Sequence, residues 1–591
     1  MTIEIALTLT IIAVAVILFA TEKLRVDVIA LLVLLTLALV GLVSPPEAFA
    51  GFSNPAVITV WAVYIVSGGL FRTGVADILG QKITQLAGSG EARLVAVIML
   101  TCGIMSAFMN NIGATAVLLP AVVGISRKAR IPLSRLLIPL SFSSLMGGNM
   151  TLIGTPPNVL AASILADYGL PTFQFFDFTP MGSIVFGAGI LYMVLIGRHL
   201  LPRRDAAVDF QSAKLREYVS EERVKRDSAL VGKSLFESRL GADYDLNVLA
   251  VIRQDVTHPN PDRNTILLPD DVLVVAGEVG DIMDARDTLG LENEAELKIG
   301  FDLLETKEAH LVEATLAPRS RMAGRSLRET RFRDQYGFTA LAIWRHGEVI
   351  TQRLRDVLLR FGDALLLKGP WHRLPALVES DEFLVLEPVK EVRRKNKAPV
   401  AVGSLLFVLV LVTAFRLPIA TAMVVGAVLM VLTGCLTMDE AYQSIEWRSV
   451  FLIAGMLPLG VAMETTGTAR FLADLLVNVL GSLGPLAVLA GIYVLAGLIT
   501  EPMSNAAAAV LIVPIAIDTA IGLGANPQSF VLAAVIGAST SFLTPVGHQA
   551  NVLVFGPGGY RFSDYTRVGG LLNVVLLVAT LIFLPILWPL Y

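Results

Sequence analysis

The chain repeats itself at a distance of about 393 residues, and any fold has to satisfy both copies. Glu47-Ala48-Phe49 returns as Glu440-Ala441-Tyr442, and Thr73-Gly74 as Thr466-Gly467. Gly154 returns as Gly547, and Asn158-Val159-Leu160 as Asn551-Val552-Leu553. Met109, Asn111, Ala114 and Pro120 return with one residue more, as Met503, Asn505, Ala508 and Pro514. One structural unit is therefore used twice. Both copies lie in strongly apolar sequence, where Asn110-Asn111 and Ser504-Asn505 are costly unless something uses them.

The setting is a membrane. Hydrophobic residues make up 54% of the 591, charged ones 16%, and mean hydropathy is +0.69. Apolar stretches repeatedly approach the roughly 20 residues that span a bilayer, leaving room for about ten spans plus a polar insert. In the first half, spans are predicted at 5–20, 26–43, 57–70 and 184–200. Residues 95–123, interrupted by Asn110, Asn111 and Gly113, read as a re-entrant hairpin. Residues 137–168, interrupted by Gly147-Gly148-Asn149 and Gly154-Thr155-Pro156-Pro157-Asn158, read as one discontinuous helix. The second half repeats the order: spans at 399–415, 418–432, 450–463 and 570–587, a hairpin at 486–517 and a broken helix at 530–555. Glu4, and no base, precedes the first apolar run, so it reads as a retained helix and not a cleaved signal. Cys102 and Cys435 both fall in apolar sequence, which excludes a disulfide framework. A net charge of −4 gives no case for nucleic acid.

The predicted fold class is thus an α-helical polytopic membrane protein with five spans and one re-entrant hairpin per half. An odd number of spans inserts the two halves with opposite orientation, an inverted repeat. With the N-terminus outside, the cytoplasmic side collects Lys23, Arg25, Arg72, Lys82, Arg93, Arg127, Lys128, Arg130, Arg135, Arg198, Arg203 and Arg204. It also collects Lys390, Arg393, Arg394, Lys395, Lys397, Arg448, Arg561 and Arg567, while the outer loops keep only Arg416 and Arg470. That asymmetry obeys the positive-inside rule. It puts both termini outside, in a plasma or inner membrane, and the insert in the cytoplasm.

The insert carries a second duplication, offset by 92. Gly232-Lys233-Ser234-Leu235 returns as Gly324-Arg325-Ser326-Leu327, and Asp271-Val272-Leu273 as Asp363-Ala364-Leu365. Each copy reads strand, short helix, strand, strand, helix. The predicted organisation is membrane repeat 1 (1–204), two α+β modules (205–300 and 301–392) and membrane repeat 2 (393–591).

The two Asn-bearing tips and Gly154-Thr155-Pro156-Pro157-Asn158 resemble the divalent anion/sodium symporter family, which carries dicarboxylates, citrate or sulfate. The resemblance covers both membrane halves. The insert resembles a tandem pair of C-terminal lobes of regulator-of-potassium-conductance domains (TrkA-C domains). Together with Gly547-His548-Gln549-Ala550-Asn551 and Phe555-Gly556-Pro557-Gly558-Gly559-Tyr560, this is similar to the sulfate-transporting branch. The family's tip pattern is Ser-Asn-Thr; here the tips read Asn110-Asn111-Ile112 and Ser504-Asn505-Ala506, without either threonine, which argues against a succinate-type carrier. The resemblance implies one sodium ion on Ser106, Asn110, Asn111 and Gly154, and another on Thr500, Met503, Asn505 and Gly547. Sodium ions would be the coupling ions, with no organic cofactor. The anion, sulfate first, would sit between the tips on Asn110, Asn111, Thr155, Ser504, Asn505 and His548, facing helix N-termini. A homodimer and a moving transport core are further implications. So is a small nucleotide ligand of the insert, cyclic di-AMP by analogy; regulation and simple scaffolding both remain open for that insert.

One agreement comes from the residues alone: Ser106 and Thr500 are 394 apart and both carry a hydroxyl. Among other classes, a channel lacks a Thr-Val-Gly-Tyr-Gly filter. A proton antiporter would need more embedded carboxylates than Glu501 and Asp518, and an enzyme would need a nucleotide loop, metal cluster or nucleophile constellation.

Overall fold

The computed structural model describes residues 2–21, 23–75, 90–204, 219–293, 310–385 and 394–591, apart from 245, 255, 260, 277–278, 318–319, 346–347, 351–353, 379 and 381. The module boundaries predicted at 204/205, 300/301 and 392/393 touch residues outside this set, as do Lys82, Lys390 and Arg393. The chain divides into two compact units: Met1–Arg203 with Glu391–Val554 and Arg561–Tyr591, and Arg204–Lys390 with Phe555–Tyr560.

The described residues of the first unit are helical. Seven of its helical stretches are long and apolar enough to cross a membrane: Ile3–Thr21, Pro45–Arg72, Thr179–Leu200, Lys395–Thr413, Trp447–Thr465, Asn505–Gly522 and Phe562–Leu587. Shorter apolar helices include Val26–Val40, Ile419–Leu432, Pro485–Ile499 and Pro527–Ala538. Local chemistry sets the ends. Pro55 opens its helix at the position where a missing N–H costs nothing, and the Asn54 side chain accepts from Ala56 N at 2.8 Å. Gly41 (φ +79°) ends Val26–Val40 in the left-handed region that favours glycine.

Both Asn-bearing tips are helix–break–helix turns: Glu91–Ser106 then Asn111–Ala129, and Pro485–Ile499 then Asn505–Gly522. Both apolar stretches that follow are interrupted: Leu137–Gly148 then Pro156–Asp167, and Pro527–Ala538 then Gln549–Phe555. Small residues let these pieces touch: a Cβ on Gly147 would collide with the Gly103 backbone, and one on Gly537 would lie 2.5 Å from Tyr493 O. Helix Asn505–Gly522 of the second half packs against Pro156–Asp167 of the first.

The structure departs from the predicted spans where helices are not wholly apolar. The last helix starts at Phe562, not 570, because Asp564 accepts from Arg561 N at 2.7 Å and fixes a polar first turn. Helix Thr179–Tyr192 likewise starts five residues before the predicted 184. The helix Thr468–Leu480 was not predicted at all; it mixes Arg470 and Asp474 with its apolar residues and has no continuous run.

The second unit holds two five-stranded antiparallel sheets. Strands β1 (Val219–Val224), β2 (Asn247–Arg253), β3 (Val256–Pro259), β4 (Val272–Ala276) and β5 (Leu291–Asn293) lie in the order β3-β2-β4-β1-β5. Strands β6 (His310–Leu316), β7 (Thr339–Arg345), β8 (Glu348–Ile350), β9 (Ala364–Gly369) and β10 (Phe383–Val385) repeat it as β8-β7-β9-β6-β10. Even the register irregularity recurs, between Val248 and Ala250 and between Ala340 and Ala342. The sequence pattern predicted three strands per copy. The extra edge strands β3, β5, β8 and β10 have three or four residues, too few to show an alternating pattern. Arg253–Asp271 and Arg345–Asp363 are ion pairs at 2.7 Å in the two copies. The segment Phe555–Tyr560 belongs to this unit: the Phe555 ring stacks on Phe361 with centroids 5.0 Å apart, and Gly559 O accepts from Arg204 at 2.7 Å.

Candidate anion and cation site

In the first half, the break after Ser106 turns the chain so that its hydroxyl donates to Asn111 Oδ1 at 2.6 Å. In the second, Thr500 donates to Asn505 Oδ1 at 2.8 Å. Both bonds span five residues and both are buried. The two hydroxyls matched across the repeat thus each reach the tip asparagine of their own half. Asn110 and Ser504 do something else: each binds its own helix start, Asn110 Oδ1 accepting from Ile112 N at 3.1 Å and Ser504 Oγ from Ala507 N at 3.2 Å.

Each tip meets the break of the following helix. Gly148 is the meeting point in the first half: a Cβ there would lie 2.7 Å from Asn111 Oδ1 and 3.1 Å from Gly154 O. Asn111 Oδ1, which accepts from Ser106, and the Gly154 carbonyl thus both lie against Gly148. In the second half Ser541 stands 393 places after Gly148, and its hydroxyl donates to Asn505 Oδ1 at 2.7 Å. Thr500 Oγ1 also lies 2.7 Å from Ala538 O, so its one proton is shared between the two acceptors. Gly547 lies against Glu501, Ser541 and Thr544. Met503 is buried. Thr155 is buried at the start of Pro156–Asp167 without a side-chain cap bond. His548 Nδ1 accepts from Ala550 N at 3.1 Å, so that nitrogen serves the start of Gln549–Phe555 and is not available to an anion.

The breaks are held open by side chains. Asn158 Nδ2 donates to Thr151 O at 2.7 Å and Gly148 O at 3.4 Å. Asn551 Nδ2 donates to Thr544 O at 3.3 Å and Ser541 O at 2.7 Å. Thr151 donates to Ala107 O. Its counterpart Thr544 donates to Glu501 Oε2 at 2.8 Å, and Glu501 Oε1 accepts from Leu543 N at 2.8 Å. A carboxylate in the second half thus takes the place of a main-chain carbonyl in the first. Ser141 joins the two halves by donating to Asn551 Oδ1 at 2.6 Å.

Sequence reasoning missed Ser541, Thr151 and Thr544, and used Asn158 and Asn551 only as markers of the repeat. The signal for the two asparagines was present: buried amides beside a Gly-rich break need partners. Ser541 gave none, because its counterpart is glycine.

Among the described residues no three His, Cys, Asp or Glu side chains converge as a metal site. Each half offers an amide oxygen, one or two hydroxyls and freed carbonyls, and the second adds the Glu501 carboxyl beside Gly547. Such a set suits a hard monovalent cation, since a hydroxyl can turn its proton aside and offer a lone pair. The buried Asn505 Nδ2 has no protein partner, so capacity remains in the site for a polar guest. Helices start at Asn111, Asn505, Pro156 and Gln549, and helix starts favour negative charge.

Comparison with known proteins agrees in kind. A family model described as "Citrate transporter" (CitMHS) matches residues 16–537. An uncharacterised transporter of Synechocystis sp. is 38% identical over 588 residues, covering 98% of this chain and 96% of the relative. The uncharacterised transporter YfbS of Escherichia coli is 33% identical, covering 99% of each. Sodium/sulfate cotransporter 1 of Chlamydomonas reinhardtii is 27% identical, covering 61% of this chain and 42% of the relative. The chain belongs to the CitMHS family, a divalent anion/sodium symporter-type family of multi-span membrane transporters and not of enzymes.

Proposed function

We propose that the protein is a sodium-coupled symporter that imports a small divalent anion, sulfate first, by alternating access. The observation that carries this reading is the pair of matched contacts Ser106–Asn111 and Thr500–Asn505, each beside a helix break. Two oxygen-lined sites would take one sodium ion each: Ser106, Asn110, Asn111 and Gly154 for the first, Thr500, Met503, Asn505 and Gly547 for the second, with Ser541 added. Asn110 and Ser504 act by fixing the helix starts. The two sodium charges would offset a dianion held by Asn111, Asn505, Thr155 and helix-start N–H groups, which is a physical reason for coupling. The name of the Chlamydomonas relative supports sulfate and sodium.

In this reading the halves are inverted repeats, both termini face outward and residues 205–392 face the cytoplasm as two modules. The tips and broken helices move as a body against a dimeric scaffold. Citrate is the second substrate reading, favoured by the family's description.

Uptake of labelled sulfate into proteoliposomes, with and without an inward sodium gradient, is the test, with citrate, succinate, thiosulfate and phosphate as competitors. Saturable, sodium-driven sulfate uptake lost in Asn111→Ala and Asn505→Ala supports the proposal. Sodium-driven uptake of citrate alone overturns the substrate, and uptake indifferent to sodium overturns the coupling.

A further inference from the structure

In the second half the broken helix stops early. Gln549–Phe555 has 7 residues, while its first-half counterpart Pro156–Asp167 has 12. The chain leaves the helix as Phe555-Gly556-Pro557-Gly558-Gly559-Tyr560, where the residues 393 places earlier, 162–167, stay helical. Proline and glycine do not continue a helix, and the segment closes into a turn. Gly559 N donates to Gly556 O at 2.9 Å and Tyr560 N to Phe555 O at 3.2 Å.

A glycine-rich turn ordinarily faces water. This one is buried against the second module: Phe555 is 6% exposed and Tyr560 2%. The stacked rings of Phe555 and Phe361 have planes 5° apart. Gly556 lies against β6, where a Cβ would be 2.5 Å from the Thr315 methyl. The space left beside Arg345 and Asp363 is about 10 Å³, no more than one water fills.

Both duplications show that neither fold requires this contact. In the first module the positions of Thr315, Phe361 and Gly362 hold Arg223, Pro269 and Asp270, 92 places earlier. Asp270 and Gly362 both have left-handed backbone, at φ +68° and +82°, so the module frame accepts a side chain there. A Cβ on Gly362 would be 2.8 Å from Phe555 Cε1; the glycine makes room for the ring. The first module thus lacks the receptor, and the first broken helix lacks the plug.

Asn551 stands one turn before Phe555 on the same helix, and its amide holds the break by bonds to Ser541 O and Thr544 O. We propose that Phe555–Tyr560 is a strap: the second module grips the second broken helix through it, and the grip sets the order of the Asn551 break and with it the affinity of the second cation site. The cation link rests on the transport reading; the grip does not.

The experiment compares full-length wild type, Phe361→Ala, Phe361→Tyr, Gly362→Asp, Phe555→Ala and the pair Phe361→Ala/Phe555→Ala, by amide hydrogen exchange and by sodium activation of uptake. Phe361→Ala should speed exchange of the 550–554 amides at least about fivefold, with β7 and β9 amides unchanged. Gly362→Asp copies the first module and should act in the same direction by displacing the ring. Phe361→Tyr keeps a ring and should match wild type. The pair should do no more than Phe555→Ala alone, since both substitutions remove one contact. Phe361→Ala should also raise the sodium concentration for half-maximal uptake at least about threefold at an unchanged maximal rate, a split that loss of folded protein would not give. Exchange at 550–554 that ignores both Phe361→Ala and Gly362→Asp, or additive effects in the pair, overturns the strap. Faster exchange with unshifted sodium activation overturns its link to the cation site. Wild type without sodium-driven uptake overturns the transport reading, and exchange alone then decides the strap.

Discussion

Asn158 and Asn551, 393 positions apart, make the same two bonds: each donates its side-chain amide to the carbonyls seven and ten residues before it. A helix break leaves such carbonyls short of N–H partners; of the four, Thr151 O also accepts from Gly154 N at 3.4 Å. Replacing either asparagine by aspartate removes the donor at constant size. Asn158→Asp and Asn551→Asp should each destabilise the protein by about 1–3 kcal/mol and abolish transport, read as a lower unfolding temperature together with lost uptake. Normal uptake by either variant would show that these bonds do not hold the site open.

The tip and the break touch at Gly148, where a Cβ would sit 2.7 Å from Asn111 Oδ1. Gly148→Ala should displace the Asn111 amide and raise the sodium concentration for half-maximal uptake at least about tenfold. Ser541→Gly makes the second pocket copy the first, and should weaken sodium dependence less than Thr500→Val does, because Thr500 still reaches Asn505 Oδ1 at 2.8 Å. Sodium activation curves on the three variants check the order.

His548 uses Nδ1 to accept from Ala550 N at 3.1 Å. Asparagine can make the same helix-start bond. His548→Asn should therefore keep most of the uptake and His548→Ala should lose most of it. If both lose it equally, the imidazole acts on the anion through its other nitrogen.

Lys368 titrates near 8 in the folded insert, against about 10.4 in an unfolded chain. Between those values the unfolded chain binds more protons, so stability rises with pH. Below 8 both states are charged and the burial cost is fully felt. Lys368→Met should stabilise its module at pH 7, by up to about 3 kcal/mol, and should remove the rise between pH 8 and 10. Hydrogen exchange of β9 amides in the full-length protein reads both effects.

Asp363 is 1% exposed in the side chain, and it holds Arg345 at 2.7 Å. That bond raises the arginine above its ordinary value, in the same direction as Asp271 does for Arg253. Removing one partner of a buried pair is costly. Asp363→Ala and Asp271→Ala should each cost about 3 kcal/mol, each seen as faster exchange in its own module.

Both helix–break–helix tips and both interruptions were legible, because a polar amide or a Gly-Pro run inside an apolar stretch has few other uses. The hydroxyl pairing of Ser106 and Thr500 was legible for the same reason, being matched across the repeat. Ser541 was not: a serine opposite a glycine breaks the match that made the rest visible. For His548, composition cannot say which way a ring nitrogen points; the bond from Ala550 N to Nδ1 is seen only in the structure. The short edge strands and the helix Thr468–Leu480 escaped because three residues carry no period, and a mixed helix makes no continuous apolar run. Two copies of one sheet order were legible only as a repeat, since strand neighbours are set by pairing across the module.

The shared frame of the two pockets turns the protein into its own reference experiment. The bonds from Asn158 and Asn551 hold the two breaks in the same way, while Gly148 in one is Ser541 in the other and Ala107 O in one is Glu501 in the other. A difference measured between matched substitutions, Ser106→Ala against Thr500→Ala, then isolates one hydroxyl and one carboxylate, with backbone, bilayer and assay held common to both arms.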